Sequence, residues 1–173
     1  SYYKMEADII FDANDFSETG AFYNDGIGWE PIEGKWKAAE TSRTADFFGS
    51  FDGNGHIIKN LYSNTSDNSY TGLFGLVDGD IKNLGIIECN INSVGTGTAS
   101  NEVGGIVGRS YGTITNCYVL NGTIHNETTG YGGAISGGIV GRNYGLISNC
   151  YSVNIEGKLE SISNGREGSE GSS

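Results

Sequence analysis

Short apolar, β-branched segments recur along the chain at a fixed spacing. Gly72-Leu73-Phe74-Gly75, Gly105-Ile106-Val107-Gly108 and Gly138-Ile139-Val140-Gly141 begin 33 residues apart. A second signature keeps the same phase: Ile81-Lys82-Asn83-Leu84, Ile114-Thr115-Asn116-Cys117 and Ile147-Ser148-Asn149-Cys150, each two residues after a glycine. A constant period of this length marks a repeat architecture in which stacked units share one core. Helical repeats are excluded by the segments themselves. Thr113-Ile114-Thr115 and Cys117-Tyr118-Val119-Leu120 are short, β-branched and aromatic, and Asn-Gly and Gly-Gly pairs would break an amphipathic helix. Each repeat is therefore expected to hold about three short strands. Coils stacked at ~4.8 Å with like positions over like form an all-β parallel β-helix, or solenoid, here of about four to five coils.

The asparagines of the second signature fit corners of such a coil. Strict alternation would put Lys82 and Leu84 on one face, whereas a left-handed bend at Asn83 lets Ile81 and Leu84 both point inward. Ile58-Lys59-Asn60-Leu61 reads as a divergent earlier copy, 23 residues before Ile81. Asn60, Asn83, Asn116 and Asn149 are then expected to form one ladder of side-chain amides. Ile58, Ile81, Ile114 and Ile147 would be an inward column, with Leu61, Leu84, Cys117 and Cys150 beside them.

Three parts are distinguished. Residues 1–71 hold an N-terminal strand, a divergent first coil and an irregular cap, with residues 17–46 as loops or a small cap; a solenoid end must be blunted in this way. Residues 72–157 hold three repeats, and 158–173 read as a Gly/Ser/Glu-rich tail. The start lacks an initiating Met and runs directly into the strand-like Ala7-Asp8-Ile9-Ile10-Phe11, as expected of a piece of a longer polypeptide. Composition narrows the partners. Of 173 residues 36% are hydrophobic, enough for a core, and the 29 glycines beside a single proline mark turns, not collagen. A net charge of −11 with only 10 Lys and Arg argues against nucleic acid and anionic membrane as partners. No apolar run approaches the roughly 20 residues of a membrane span.

Phe51-Asp52-Gly53-Asn54-Gly55-His56-Ile57-Ile58-Lys59-Asn60-Leu61, the upstream Trp29-Glu30-Pro31-Ile32 and the three Gly-x-x-Gly and Ile-x-Asn copies resemble the GLUG-motif repeats of bacterial surface proteins. Such repeats occur in non-catalytic regions of bacterial immunoglobulin A peptidases and in haemagglutinin-like adhesins. The resemblance covers roughly residues 7–157. It implies a right-handed parallel β-helix, an extracellular, cell-surface or secreted setting, and a non-catalytic role as stalk, spacer or adhesive surface. The implied partners are a host glycan or a host or bacterial surface protein. The first copy departs from the pattern, with Phe48-Gly49-Ser50-Phe51 where later copies carry Gly-x-x-Gly.

Candidate chemistry is sparse. There is no His-Glu-x-x-His, no Gly-x-Ser-x-Gly and no phosphate-binding loop, so the zinc-protease chemistry of some members has no motif here. His56 and His125 read as surface or turn residues. Asp12, Asn14 and Asp15 begin like a calcium loop, but Phe16, Ser17 and Tyr23 stand where the remaining ligands and glycine belong; the alternative is turn residues capping their own backbone. No other cofactor is indicated. A carbohydrate-active or glycan-binding reading would use Trp29 and Trp36 with Asp12, Asp15, Asp78 or Asp80. Cys117 and Cys150, one repeat apart, stand within disulfide range in stacked coils, but inward parallel side chains favour two buried thiols; Cys89 is left over. Arg109 with Tyr111 and Arg142 with Tyr144 repeat in phase. They form either a contact edge, rimmed by the loops at 94–101 and 126–136, or a closure in which each Arg packs over its own Tyr.

Overall fold

The computed structural model describes residues 1–33, 47–66, 70–130 and 132–161. Within them the chain winds as a solenoid with five strands per coil, not three. Five parallel sheets run along its length. The first joins Tyr2–Lys4, Ser50–Asp52, Asp80–Lys82, Thr113–Thr115 and Leu146–Ser148; the second joins Ile9–Ile10, Ile57–Lys59, Gly85–Ile87, Tyr118–Leu120 and Tyr151–Val153. A third stacks Tyr62–Ser66, Asn90–Gly95, Thr123–Thr128 and Glu156–Ser161. The fourth holds Tyr70–Thr71, Asn101–Gly104 and Ala134–Gly137, and the fifth Phe74–Val77, Val107–Ser110 and Val140–Asn143. Three complete coils result, with partial coils before and after. The extra strands were hidden because most are three or four residues long and separated by single corners, so several strands read as one β-rich run.

The 33-residue period appears as register: Phe74 pairs with Val107 and Val107 with Val140, while Ile81 pairs with Ile114 and Ile114 with Ile147. Ile81, Leu84, Ile86, Ile91, Ile106 and Ile114 are wholly buried. Asn83 and Asn116 take the left-handed backbone at φ 55° and 54°, which carries Ile81 and Leu84 inward on either side of the corner. Asn116 Nδ2 donates to Asn83 Oδ1 at 3.2 Å, and Asn83 Nδ2 donates to Asp52 Oδ1 at 2.9 Å. Asn149, also left-handed at φ 53°, continues the column, and its neighbour Ser148 accepts the Asn116 N–H at 3.1 Å.

Asn60 does not belong to that ladder. Ile58 pairs with Ile86, and the Asn60 N–H donates to the Ile87 carbonyl at 2.9 Å. Asn60 therefore lies over Glu88, Asn121 and Asn154 in a second left-handed corner, where Asn154 Nδ2 donates to Asn121 Oδ1 at 3.0 Å. The true counterpart of Ile81 in the preceding coil is Phe51, and Ile58 and Leu61 belong to other columns than Ile81 and Leu84. Ile58-Lys59-Asn60-Leu61 imitates the Ile-x-Asn signature because both corners ask for the same residue types, and the sequence alone does not say which corner a copy fills.

The irregular N-terminal part follows the same course. Trp29 N–H donates to the Tyr62 carbonyl, Ile32 N–H to Leu73 and Phe47 N–H to Leu76, so the segment lies along the free edges of the third and fifth sheets. Phe11, Phe16, Phe22 and Trp29 pack together with ring centroids 5.0–6.2 Å apart and close the end of the core. Residues 34–46 of this cap, and the tail from 162 on, lie outside the described residues. Where the third and fourth sheets meet, the core turns polar. Thr65, Thr71, Ser93, Asn101 and Asn126 are buried and joined by hydrogen bonds of 2.8–3.3 Å that climb from coil to coil.

Two outcomes follow from the corners. Gly79, Gly112 and Gly145 stack so closely that a Cβ on Gly112 would overlap the Gly79 carbonyl oxygen. Gly112→Ala should therefore lose the cooperative urea transition of the wild type, while Gly97→Ala, whose added Cβ would have its nearest neighbour at 4.0 Å, should keep its midpoint. The Asp52 carboxylate, 13% exposed, is held at a pKa of about 2 by the Asn83 amide and then by the Asn54 N–H. A folded pKa below the unfolded one means that the unfolded chain binds more protons, so this contribution is present above about pH 4 and lost as pH falls toward 2. Asp52→Asn should flatten that limb of a denaturation-against-pH curve.

Candidate functional site

The repeated Arg and Tyr residues come from the fifth sheet and its corner with the first. In that sheet Leu76, Arg109 and Arg142 are neighbours on successive coils; in the adjoining fourth sheet the matching row is Tyr70, Glu102 and Ile135. Where the two sheets adjoin, the Arg109 and Glu102 side chains meet. Glu102, with no exposed side-chain surface, is the centre of the cluster. Arg109 Nε donates to Glu102 Oε2 at 2.6 Å and its Nη2 donates to Oε1, a bidentate pair, while Arg142 Nε reaches the same Oε1 at 3.1 Å. The Glu102 hydrogen bonds raise the Arg109 pKa above its already high value, so the guanidinium stays charged.

The aromatic rings complete the edge. Tyr111 and Tyr144 stack at 4.9 Å with planes 9° apart. Arg109 Cζ lies 4.5 Å over the Tyr70 ring and 6.0 Å from that of Tyr144, whereas Arg142 Nη1 donates to the Tyr144 hydroxyl at 3.3 Å. All four sequence candidates are thus brought together, but through a carboxylate the sequence reading passed over. Its signal was available: Glu102 stands in a short strand next to the apolar Val103, seven residues before Arg109. The loop at 96–100 and the described residues 129–130 and 132–133 leave at the corner between the third and fourth sheets and do not rim the Tyr111 corner.

The other candidates are spent locally. Asp15 Oδ2 accepts the Asp12 N–H at 2.8 Å and Asp12 Oδ1 accepts the Asn14 N–H at 2.7 Å, so the would-be calcium loop caps its own turn. Among the described residues no three His, Cys, Asp or Glu side chains gather as a metal site. Trp29 packs into the cap and donates Nε1–H to the Leu73 carbonyl at 3.1 Å; Trp36 lies outside the described residues. Asp78 and Asp80 are exposed on the corner that enters the first sheet. His56 Nδ1 meets Asp8 Oδ1 at 2.9 Å and ties the N-terminal segment down, and His125 lies 3.7 Å from Glu127. Cys89, Cys117 and Cys150 are free thiols, with burial pushing Cys117 up to about 12 and Cys89 up to about 11.

Glu102→Ala would leave two guanidiniums facing each other without their carboxylate and should cost about 3–5 kcal/mol in urea denaturation. Arg142→Gln leaves the bidentate pair intact and should cost on the order of 1 kcal/mol or less. For the thiols, an aromatic disulfide reagent at pH 8 should label no more than Cys150 in the native protein and all three after unfolding.

Residues 99–124 match the family described as the GLUG motif. Halomucin of Haloquadratum walsbyi (strain DSM 16790 / HBSQ001) is 38% identical over 98 residues, which span 54% of this chain and 1% of halomucin. The chain thus corresponds to a very small part of that relative. Among solved structures, a candidate immunoglobulin A1 protease from Bacteroides ovatus superposes with a TM-score of 0.50 at 23% identity, covering 94% of this chain and 56% of that one. That likeness concerns the fold. No helix among the described residues is long and apolar enough to cross a membrane. The matched residues run from the second half of the middle coil into the next, so the chain is a β-solenoid that carries a GLUG motif.

Proposed function

We propose that the chain is a non-catalytic spacer module of a secreted or cell-surface protein, whose work is to hold a contact edge at a fixed distance and orientation. The carrying observation is the unbroken parallel register through three coils, in which every coil is bonded to the next on five sides. Such a stack resists bending and stretching because extension must break a coil's whole set of backbone bonds. The likeness of halomucin and of the GLUG family supports a surface setting.

One observation favours an adhesive edge within that role. Arg142 and Tyr144 stand on the last complete coil, with Tyr144 57% exposed beside a guanidinium, the combination suited to sugars or a partner protein. Host glycans and host or bacterial surface proteins are the partner classes this edge fits.

Pulling single molecules from both ends tests the spacer role. The expected trace unravels in coil-sized steps of about 110 Å, from 33 residues at ~3.3–3.6 Å each. Extension at forces indistinguishable from those of an unstructured linker would refute it. A glycan array, with calcium and with chelator, against an Arg142→Ala/Tyr144→Ala double variant tests the edge: binding confined to the wild type places contacts there, and binding lost only with chelator moves them to the Asp12 turn.

A further inference from the structure

A cleft of about 510 Å³ opens between the loop at 12–26 and the corner at Asn60, within the size range of small-molecule sites. Chain stands on both sides of it. Tyr62 pairs with Asn90 of the next coil, and its carbonyl accepts the Trp29 N–H at 2.8 Å from the side of the cap. The Asn60 N–H donates to the Ile87 carbonyl, while its Nδ2 donates to the Phe11 carbonyl at 2.8 Å. Leu61 and Ser63 are buried, so alternation turns Tyr62 outward, and the cleft lies on the flank of the solenoid, not at an end of the stack. The backbone holds the loop in place: the Phe22 N–H bonds to the Asp15 carbonyl, the Gly28 N–H to that of Tyr23, and the Asn64 N–H of the coil to that of Ile27.

The lining of this cleft favours positive charge. Half-buried Phe16 and Tyr62 meet with centroids 5.6 Å and planes 58° apart, which makes a corner of two rings, and half-buried Tyr23 adds a third. Aromatic faces carry the negative pole of the ring quadrupole. Asp12 lines the cleft with a carboxylate, and the Asn60 amide, its Nδ2 spent on Phe11, has its oxygen left to offer. The loop at 12–26 carries four acidic residues and no Lys or Arg, and Lys59, next to Asn60, is taken by Glu88 at 3.2 Å. An anion is repelled here. A metal ion finds one lining carboxylate, too few oxygens for calcium, and a flat sugar face meets a corner where it needs a platform. A compact organic cation fits, because ring faces and a carboxylate both attract a charge spread over methyl groups. We propose that this cleft binds a choline-type methylated ammonium group, with Phe16, Tyr23 and Tyr62 as its walls and Asp12 as its counter-ion. The site is separate from the Arg109 and Tyr111 edge and does not rest on the reading of that edge.

Free choline and the phosphocholine head group share this chemistry, and the test separates them. The whole chain is titrated by NMR with choline, phosphocholine and 3,3-dimethylbutanol, the neutral carbon analogue of choline. Saturable shifts at the amides of 12–26 and 60–62 are expected with choline, and binding of the neutral analogue should be roughly tenfold weaker. Phosphocholine binding more weakly than choline names the free cation as ligand, and equal or tighter binding names the head group. Asp12→Asn keeps an acceptor for the Asn14 N–H, so the turn persists, and should weaken choline roughly fivefold to tenfold while leaving the neutral analogue unchanged. Tyr23→Leu keeps an apolar wall without the ring face and should also weaken choline but not the analogue; it takes over should Asp12→Asn fail to fold, which the signals of the third sheet report. No saturable shift at millimolar choline, equal binding of the neutral analogue, or undiminished choline binding in either folded variant overturns the proposal. The spacer role is read independently by force, so a chain that binds choline but unravels easily keeps this site and loses that role.

Discussion

Every strand of this protein depends on the backbone hydrogen bonds that join one coil to the next. Strands of two to six residues have no stability of their own; they persist because like positions lie over like, and each N–H finds a carbonyl one coil away. That requirement propagates into the sequence. A corner must repeat at the same place on every coil or the following strand slips by one residue and turns its apolar side outward. Left-handed Asn83, Asn116 and Asn149 at one corner, and Asn60, Glu88, Asn121 and Asn154 at the other, meet that demand. The Gly79, Gly112 and Gly145 column meets it differently, by letting successive turns come within a distance no side chain would allow.

The period was legible because it is imposed by this register. The parallel solenoid class and the left-handed corner at Asn83 could be read from spacing and from the conflict between Lys82 and Leu84. What could not be read was the number of corners. A coil with five short strands and one with three both alternate apolar and polar residues, and asparagine serves two corners of this coil equally. Asn60 falls to the wrong one for that reason: likeness to the Ile-x-Asn signature aligns Ile58 with Ile81 at a spacing of 23, whereas the coil places Phe51 over Ile81 at 30 residues and Ile58 over Ile86 at 28. The cap was legible as an irregularity, but not as a segment that itself follows the coil's edge.

The site shows the same division. Arg109, Tyr111, Arg142 and Tyr144 were recognisable because they repeat. Glu102 was not, because it occurs once, and its meaning depends on a neighbouring strand that sequence spacing does not reveal. Burying this carboxylate is costly unless both oxygens are engaged, and the two hydrogen bonds from Arg109 do engage them, with the Arg142 guanidinium as a further ion-pair partner. The buried Thr, Ser and Asn network between the third and fourth sheets follows the same logic. Asn101 and Asn126 satisfy one another across coils, so a slip of register would leave several buried polar groups without partners. Polar burial here opposes wrong stacking where an all-aliphatic core would tolerate it.

In a repeat, an interior side chain has neighbours on the coil before and the coil after, and its bonding capacity is consumed by them. Arg109 is the example: Tyr70 lies on one side, Tyr144 on the other, and Glu102 beside it. Departures from repetition are where capacity is left over. Ile135 in place of a carboxylate is one such departure, and its effect is to turn a structural ion pair into a three-membered cluster with an outward cationic edge. A scaffold whose interior is fixed by register can change one such position without disturbing the stack, because the side chain points away from the core. The physical demand that makes the coils alike thus also confines variation to the few outward positions where they differ.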